Sequence, residues 1–295
     1  MDLESLTLHN AIGHGRQAGV HPGHNRQAVL LLHGLCANPL EMQPLARMLH
    51  QAGYSVHSPL IEGMGVDSLA LRQGWRPGVC EQWVDEAVRH FDALAATHER
   101  VAVAGLCIGA VLALALAARR TPQALVLLSP TLYFDGWNVS PWRRLLPLAY
   151  LPGLRQWLSF AERPPYGLKN ERLRKWIAQA MASDGLCAVG AARLPAASLY
   201  QAERLIREAR RELADITVPA LVLHATEDDV ASPRSVHLLS DRLGRTPEVT
   251  WFDDSYHMLT LDNEREAVCS RVASFVAEHL PGIDHSIRTD MEVAA

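Results

Sequence analysis

Gly105-Leu106-Cys107-Ile108-Gly109 holds a thiol at the junction of two unlike stretches. Before it runs Val101 to Gly105, β-branched or small; after it come strong helix formers as far as Arg120. The order describes a strand, a sharp turn and a helix with cysteine at the apex. Glycines on both sides suit a turn whose central residue takes a strained backbone conformation. A thiol at a helix N-terminus is favoured as thiolate, its nucleophilic form. Two later stretches offer partners. Thr226, Glu227, Asp228 and Asp229 follow the apolar run Pro219 to Ala225, so a carboxylate stands just beyond a strand end; Asp228 fits the register best and Asp229 is the next choice. His257 follows a further strand, in Asp253-Asp254-Ser255-Tyr256-His257. Such a set can do acyl chemistry: sulfur attacks an acyl carbon, histidine takes the proton, and the acid orients the ring and stabilises the imidazolium.

These residues need a scaffold that brings strand ends together. Ala28 to His33 is an apolar strand closed by Gly34, and the stretch after it to Gly53 reads as an amphipathic helix. Tyr54 to Leu60 is the next strand, followed by a glycine-containing loop, Ile61 to Gly65, expected to be flexible and to border the site. A helix over Cys80 to Ala96 leads to the cysteine strand, and Ala124 to Ser129 is a further buried strand. After Pro219 to Ala225 come a helix over Pro233 to Leu243, a strand over Glu248 to Phe252 and a last helix from about Asn263 to Leu280. Strands alternating with helices imply right-handed crossovers and a mostly parallel sheet. In such sheets sites form at the carboxyl ends of the strands, where His33 to Leu35, Cys107 and Ser129 fall.

Two regions depart from that rhythm. Residues 1 to about 27 are polar and carry His9, His14, His21 and His24 among glycines; they read as a loop, with no carboxylate or cysteine at a spacing that suggests a metal. From Tyr133 to about Leu213 no convincing strand is found, only prolines and tryptophans between helical stretches. This predicts an inserted helical cap over 133–213, with a core of 1–132 and 214–295. Over 137–213 there are thirteen Lys or Arg against six Asp or Glu, although the whole chain is net −4. The excess suits ordinary solvated helix faces or the steering of an anionic substrate, such as an acyl group linked to coenzyme A or an acyl carrier. The leucine- and tryptophan-rich stretch from Pro141 to Leu158 reads as the lining of an acyl pocket in preference to a membrane contact.

Composition narrows the class. The chain has 295 residues, 48% hydrophobic and 20% charged, enough for a sizeable core. Its charge gives no reason to expect nucleic acid. Five scattered cysteines without a C-x-x-C pair argue against a disulfide framework or zinc site and for a reducing compartment. The acidic N-terminus lacks the pattern of a signal peptide, so the cytoplasm is the default location. Val101 to Ala118, uncharged, has the length of a membrane span, but its strand-like start and central glycines argue for the turn described above. No cofactor and no metal are called for.

The chain resembles the α/β-hydrolase superfamily across nearly its whole length, and within it the small bacterial carboxylesterases and monoacylglycerol lipases. The residues that carry the resemblance are Leu30 to Met42, LLLHGLCANPLEM; Val101 to Ala110, VAVAGLCIGA; Leu221 to Val230, LVLHATEDDV; and Ser255 to Glu264, SYHMLTLDNE. Nucleophile, acid, histidine is that fold's triad order. The resemblance implies Cys107, Asp228 and His257 as triad, with the backbone N–H groups of Leu35 and Ile108 as oxyanion donors. Cys107 replaces the usual serine, as in dienelactone hydrolases and polyhydroxyalkanoate synthases. The implied activity is hydrolysis of carboxylic esters or thioesters through an S-acyl intermediate. Transfer of the acyl group to an alcohol, amine or thiol is the alternative, and a binding protein with a dead site is disfavoured because His257 and the acid are both present.

Overall fold

The computed structural model describes residues 19–21, 23, 26–67, 74–184, 186, 187 and 190–281. The elements run β1 (Gly19–His21), β2 (Gln27–Leu32), α1 (Gln43–Gln51), β3 (Ser55–Ser58), α2 (Cys80–Ala95), β4 (Arg100–Leu106), α3 (Ile108–Ala117) and β5 (Leu125–Leu128). There follow α4 (Leu146–Ala149), β6 (Ser159–Ala161), α5 (Glu171–Asp184), β7 (Leu186–Cys187), β8 (Gly190–Ala191), β9 (Arg193–Pro195) and α6 (Ala196–Glu212). The chain then gives β10 (Ala220–Ala225), α7 (Arg234–Arg242), β11 (Glu248–Phe252) and α8 (Arg265–His279).

Seven strands form the central sheet in the order β1-β3-β2-β4-β5-β10-β11. Only the β1–β3 pairing is antiparallel; the other strands of this sheet pair in parallel. The central parallel strands β2, β4, β5 and β10 are mostly apolar because helices cover both faces, and each strand divides its residues between them. Leu30, Leu32, Val103 and Val222 turn towards α2, α3 and α6. Val29, Leu31, Ala104 and Leu223 turn towards α1 and α8. Helix α3 has buried residues from Ile108 to Leu116, which explains the long uncharged run: it is a core helix, and no helix among the described residues is long and apolar enough to cross a membrane.

Three expectations need correction. The leading segment is not all loop, since Gly19–His21 adds the antiparallel edge strand; His9, His14 and His24 lie outside the described residues, as do residues 282–295. The 133–213 insertion is not free of strands: β6 pairs with β9 and β7 with β8 in two short antiparallel ladders, too brief to show a period in sequence. Its last helix, α6, also packs into the core beside α2 and α3 through Leu205, Ile206 and Ala209. The third concerns the loop after β3. Rather than flexible it is pinned: Ile61 N–H donates to His33 Nε2 at 3.0 Å, Cys36 N–H to the Met64 carbonyl at 2.8 Å, and Val66 N–H to the Ala37 carbonyl at 2.8 Å.

Candidate active site

Cys107 sits between β4 and α3 with φ 58° and ψ −118°, a left-handed conformation that an L residue holds only when its surroundings enforce it. The flanking glycines show how. A Cβ on Gly105 would lie 2.2 Å from the Gly109 carbonyl oxygen, and one on Gly109 would lie 2.3 Å from that of Leu32. The turn closes because both positions lack a side chain. Its apex presents a half-buried thiol, whereas Cys36, Cys80 and Cys269 are buried and burial pushes each of these thiols up to about 12.

The histidine and acid arrive from two neighbouring strands. β10 ends at Ala225 and β11 at Phe252, and their loops bring His257 Nδ1 within 2.8 Å of Asp228 Oδ2. Asp228 is buried, and Val230 and Ala231 each donate a backbone N–H to its Oδ1 at 2.8 Å. Burial alone would raise its carboxyl, but His257, His224 and the Ala231 amide hold it below the ordinary value. Burial would likewise lower His257; the carboxylate of Asp228 and the sulfur of Cys107 outweigh it and hold the imidazole well above its usual value. With Nδ1 taken by Asp228, the interaction with Cys107 falls to Nε2, which is buried and makes no hydrogen bond in the resting arrangement. Cys107, Asp228 and His257 are thus brought together as the sequence placed them.

Asp229 faces elsewhere. Its Oδ2 accepts from Gly167 N–H at 3.2 Å and its Oδ1 from His257 N–H at 3.4 Å, so it ties the cap to the histidine's backbone and does not reach the ring.

The loop after β2 crosses directly against the thiol: a Cβ on Gly34 would stand 3.3 Å from that of Cys107. Gly34 N–H is consumed by the buried carboxyl of Glu41. His33 Nδ1 is 2.8 Å from the Gly34 carbonyl and its Nε2 accepts from Ile61, which fixes the neutral tautomer with hydrogen on Nδ1; burial lowers it to about 4. With those groups occupied, the N–H groups of Leu35 and Ile108 have no backbone bond among the described residues, the second because it opens α3. Both stand beside Cys107 as candidate donors for an oxyanion.

Several residues of the site escaped sequence reading. Thr131 Oγ1 lies 3.4 Å from Cys107 Sγ. Ser129, which the sequence places at a strand's carboxyl end without a role, has φ 43° and donates its hydroxyl to the His257 carbonyl at 2.7 Å. Asp262 accepts from the backbones of Lys169 and Tyr256, joining the cap's return to the histidine loop. Glu41 is pushed up to about 8 by burial, against the Gly34 N–H and His257. Glu162, in the cap, is pushed up to about 7 by burial and by Asp229, with His257 pulling the other way. Glu41 and Asp262 fall inside stretches that carry the family resemblance, but nothing there marks them for a role; a polar side chain inside an otherwise apolar run is the signal that could have found them, and Glu41 in NPLEM is the clearest case.

One expectation fails outright. The stretch from Pro141 to Leu158 does not line a pocket: Trp142 is 76% and Trp157 86% exposed, and the leucines between them face outward as well.

A parallel sheet with a nucleophile elbow, an acid after one strand and a histidine after the last defines an α/β-hydrolase. The chain belongs to the Hydrolase_4 family, described as serine aminopeptidase, S33, whose model matches residues 23–265. It is 24% identical to a carboxylesterase of Bacillus subtilis over 85% of this chain and 92% of that protein. It is 25% identical to a thermostable monoacylglycerol lipase of Bacillus sp., over 85% of this chain and 90% of that one. Among solved structures, one from the metagenome-derived lipolytic enzymes LipS and LipT superposes with a TM-score of 0.72 at 23% identity, covering 88% of this chain and 96% of that one. A monoacylglycerol lipase of Paleococcus ferrophilus gives 0.69 at 19% identity, over 88% and 98%. The chain is accordingly a hydrolase of the esterase and lipase type, carrying cysteine at the elbow.

Proposed function

We propose that this protein hydrolyses carboxylic esters of small acyl substrates through an S-acyl enzyme, with Cys107 as nucleophile, His257 as base and Asp228 as the orienting acid. The observation that carries the reading is the buried His257–Asp228 couple, whose free Nε2 stands towards Cys107. Cys107 Sγ bonds to the ester carbonyl carbon while its proton passes to His257 Nε2. The carbonyl electrons move to oxygen, which Leu35 and Ile108 N–H groups hold, each contact worth about 3 to 4 kcal/mol. The tetrahedral adduct collapses, the carbon–oxygen bond to the alcohol breaks, and the imidazolium protonates the alcohol as it leaves. Water then gives its proton to Nε2 and attacks the thioester; collapse releases the carboxylic acid and returns the proton to sulfur. An acyl thioester enters by the same steps, with a thiol as leaving group.

In this reading residues 133–195 form the cap and α6 belongs to the core. Acylglycerols fit the names of the lipase relatives; thioesters linked to coenzyme A or an acyl carrier fit the basic excess of the insertion. The test is turnover of a short-chain ester and an acyl thioester, with products identified with and without an added alcohol. Free acid as the main product from wild type, with none from Cys107→Ala, supports the proposal. Unchanged turnover by Cys107→Ala contradicts it, and discharge mainly to the alcohol would make the protein an acyltransferase.

A further inference from the structure

Nine of the twelve large apolar side chains that stand exposed among the described residues lie between Trp137 and Phe160. Six recur at every third position: Trp142, Leu145, Leu148, Leu151, Leu154 and Trp157. Pro141–Leu145 and Leu154–Gln156 are 3-10 turns, in which residues three apart lie one above another, so Trp142 stands on the same side as Leu145 and Leu154 on the same side as Trp157, the cap of its turn. The strip is anchored from behind. Tyr150 donates its hydroxyl to Glu203 Oε1 of α6 at 3.0 Å and sets its ring edge-on to Tyr200, Ala149 is buried, and Ala196 N–H donates to the Leu158 carbonyl at 2.9 Å. Outward apolar side chains here are therefore a property of a fixed segment.

Charge says what meets them. Gly136 to Ala161 contains Arg143, Arg144 and Arg155 and no Asp or Glu. Tryptophans at both ends of a leucine strip, with arginines beside it, have the composition of a segment that lies in the headgroup region of a bilayer. A basic segment without acids also gains affinity from an anionic leaflet. The strip is continuous with the site's rim: Trp137 donates its ring N–H to the Glu227 carbonyl, next to Asp228, at 2.9 Å, and packs edge-on against Tyr256, next to His257.

We propose that the 137–160 face docks on the surface of an anionic phospholipid bilayer, holding the mouth of the site against the membrane. The docking is peripheral, through side chains, and does not depend on which acyl transfer follows it.

The test is co-sedimentation of the full chain with vesicles of phosphatidylcholine containing phosphatidylglycerol, against vesicles of phosphatidylcholine alone. The same measurement is made on a variant carrying Trp142→Ser, Leu148→Ser and Trp157→Ser. All three side chains are exposed, and turnover of a water-soluble short-chain ester by the variant should stay within about two-fold of wild type. Wild type should bind the anionic vesicles at least about ten-fold more tightly than the variant, and binding should weaken as salt is raised. Wild type that stays in the supernatant with both vesicles, or a variant that binds as tightly, overturns the proposal. So does a wild type that is dimeric in sedimentation equilibrium while the variant is monomeric and neither binds lipid, which would make the face a contact between copies.

Discussion

At the carboxyl edge of the sheet buried polar groups are paired to fixed partners; on the outer side of the cap large apolar groups face water. The first region includes His33, Glu41, Asp228, Asp229 and Asp262, each buried and each bonded to a named backbone or ring atom. The second has Trp142 and Trp157 almost bare. Burying a polar group without a partner costs several kcal/mol, so the bonds of these five residues are needed to hold the site's geometry, while His257 Nε2 is left open towards Cys107. Exposed leucines and tryptophans cost little in the fold and serve what they meet outside it. The contrast assigns reaction chemistry to one and docking to the other, and it can be broken by substitutions that treat the two regions alike.

The largest effect is expected at the elbow. Cys107→Ala should lower turnover by more than about 100,000-fold, as loss of a triad nucleophile does, with the melting temperature little changed. The two adjacent acids sharpen the comparison within the network. Asp228→Asn removes the acceptor that orients His257 and should cost on the order of 10,000-fold in kcat, the scale for a triad acid. Asp229→Asn leaves that bond intact and should cost at most about ten-fold, through the His257 backbone and Gly167. Equal losses for the two would contradict the assignment. Gly109→Ala should act on folding instead. Its Cβ would meet the Leu32 carbonyl at 2.3 Å, so the stability lost in chemical denaturation should be about 3 kcal/mol or more.

Glu41 gives a pH signature. Its carboxyl is raised to about 8 in the fold, while its ordinary value is 4.5. Between those values the folded state holds a proton that the unfolded chain has lost, so its contribution to stability falls as pH rises through this window. His33, lowered to about 4, works in the opposite sense only below its unfolded value of 6.5. From about pH 6.5 to 8 Glu41 should contribute a loss of about 2 kcal/mol at 1.36 kcal/mol per unit, in the same direction as His257, which is also raised, and, up to about pH 7, as Glu162. Glu41→Gln keeps an acceptor for Gly34 and should make the fall of denaturation midpoints across that range shallower. The smallest effect belongs to the cap face, where Trp157→Ser should change stability by no more than about 0.5 kcal/mol.

The reading from sequence reached the strands and the chemistry-bearing residues because both leave local marks. Buried parallel strands such as Val101 to Leu106 are continuous apolar runs, and the paired glycines about Cys107 are required by contacts at 2.2 and 2.3 Å. What stayed hidden is non-local. Ser129 acts on His257, 128 residues away, and Asp262 on Lys169, 93 residues away; each is ordinary in its own stretch. The orientation of the Pro141 to Leu158 stretch is hidden for a related reason. Composition shows that a segment is apolar but not which way it faces, and here Tyr150 turns it outward by bonding to Glu203.

The most direct test of the central claim is the intact mass of the protein milliseconds to seconds after mixing with a short-chain activated ester, followed by peptide mapping. The account predicts a transient increase equal to the acyl group, located on Cys107, clearing in water and absent from Cys107→Ala. Turnover with no adduct on Cys107, or an adduct confined to another side chain, would contradict it.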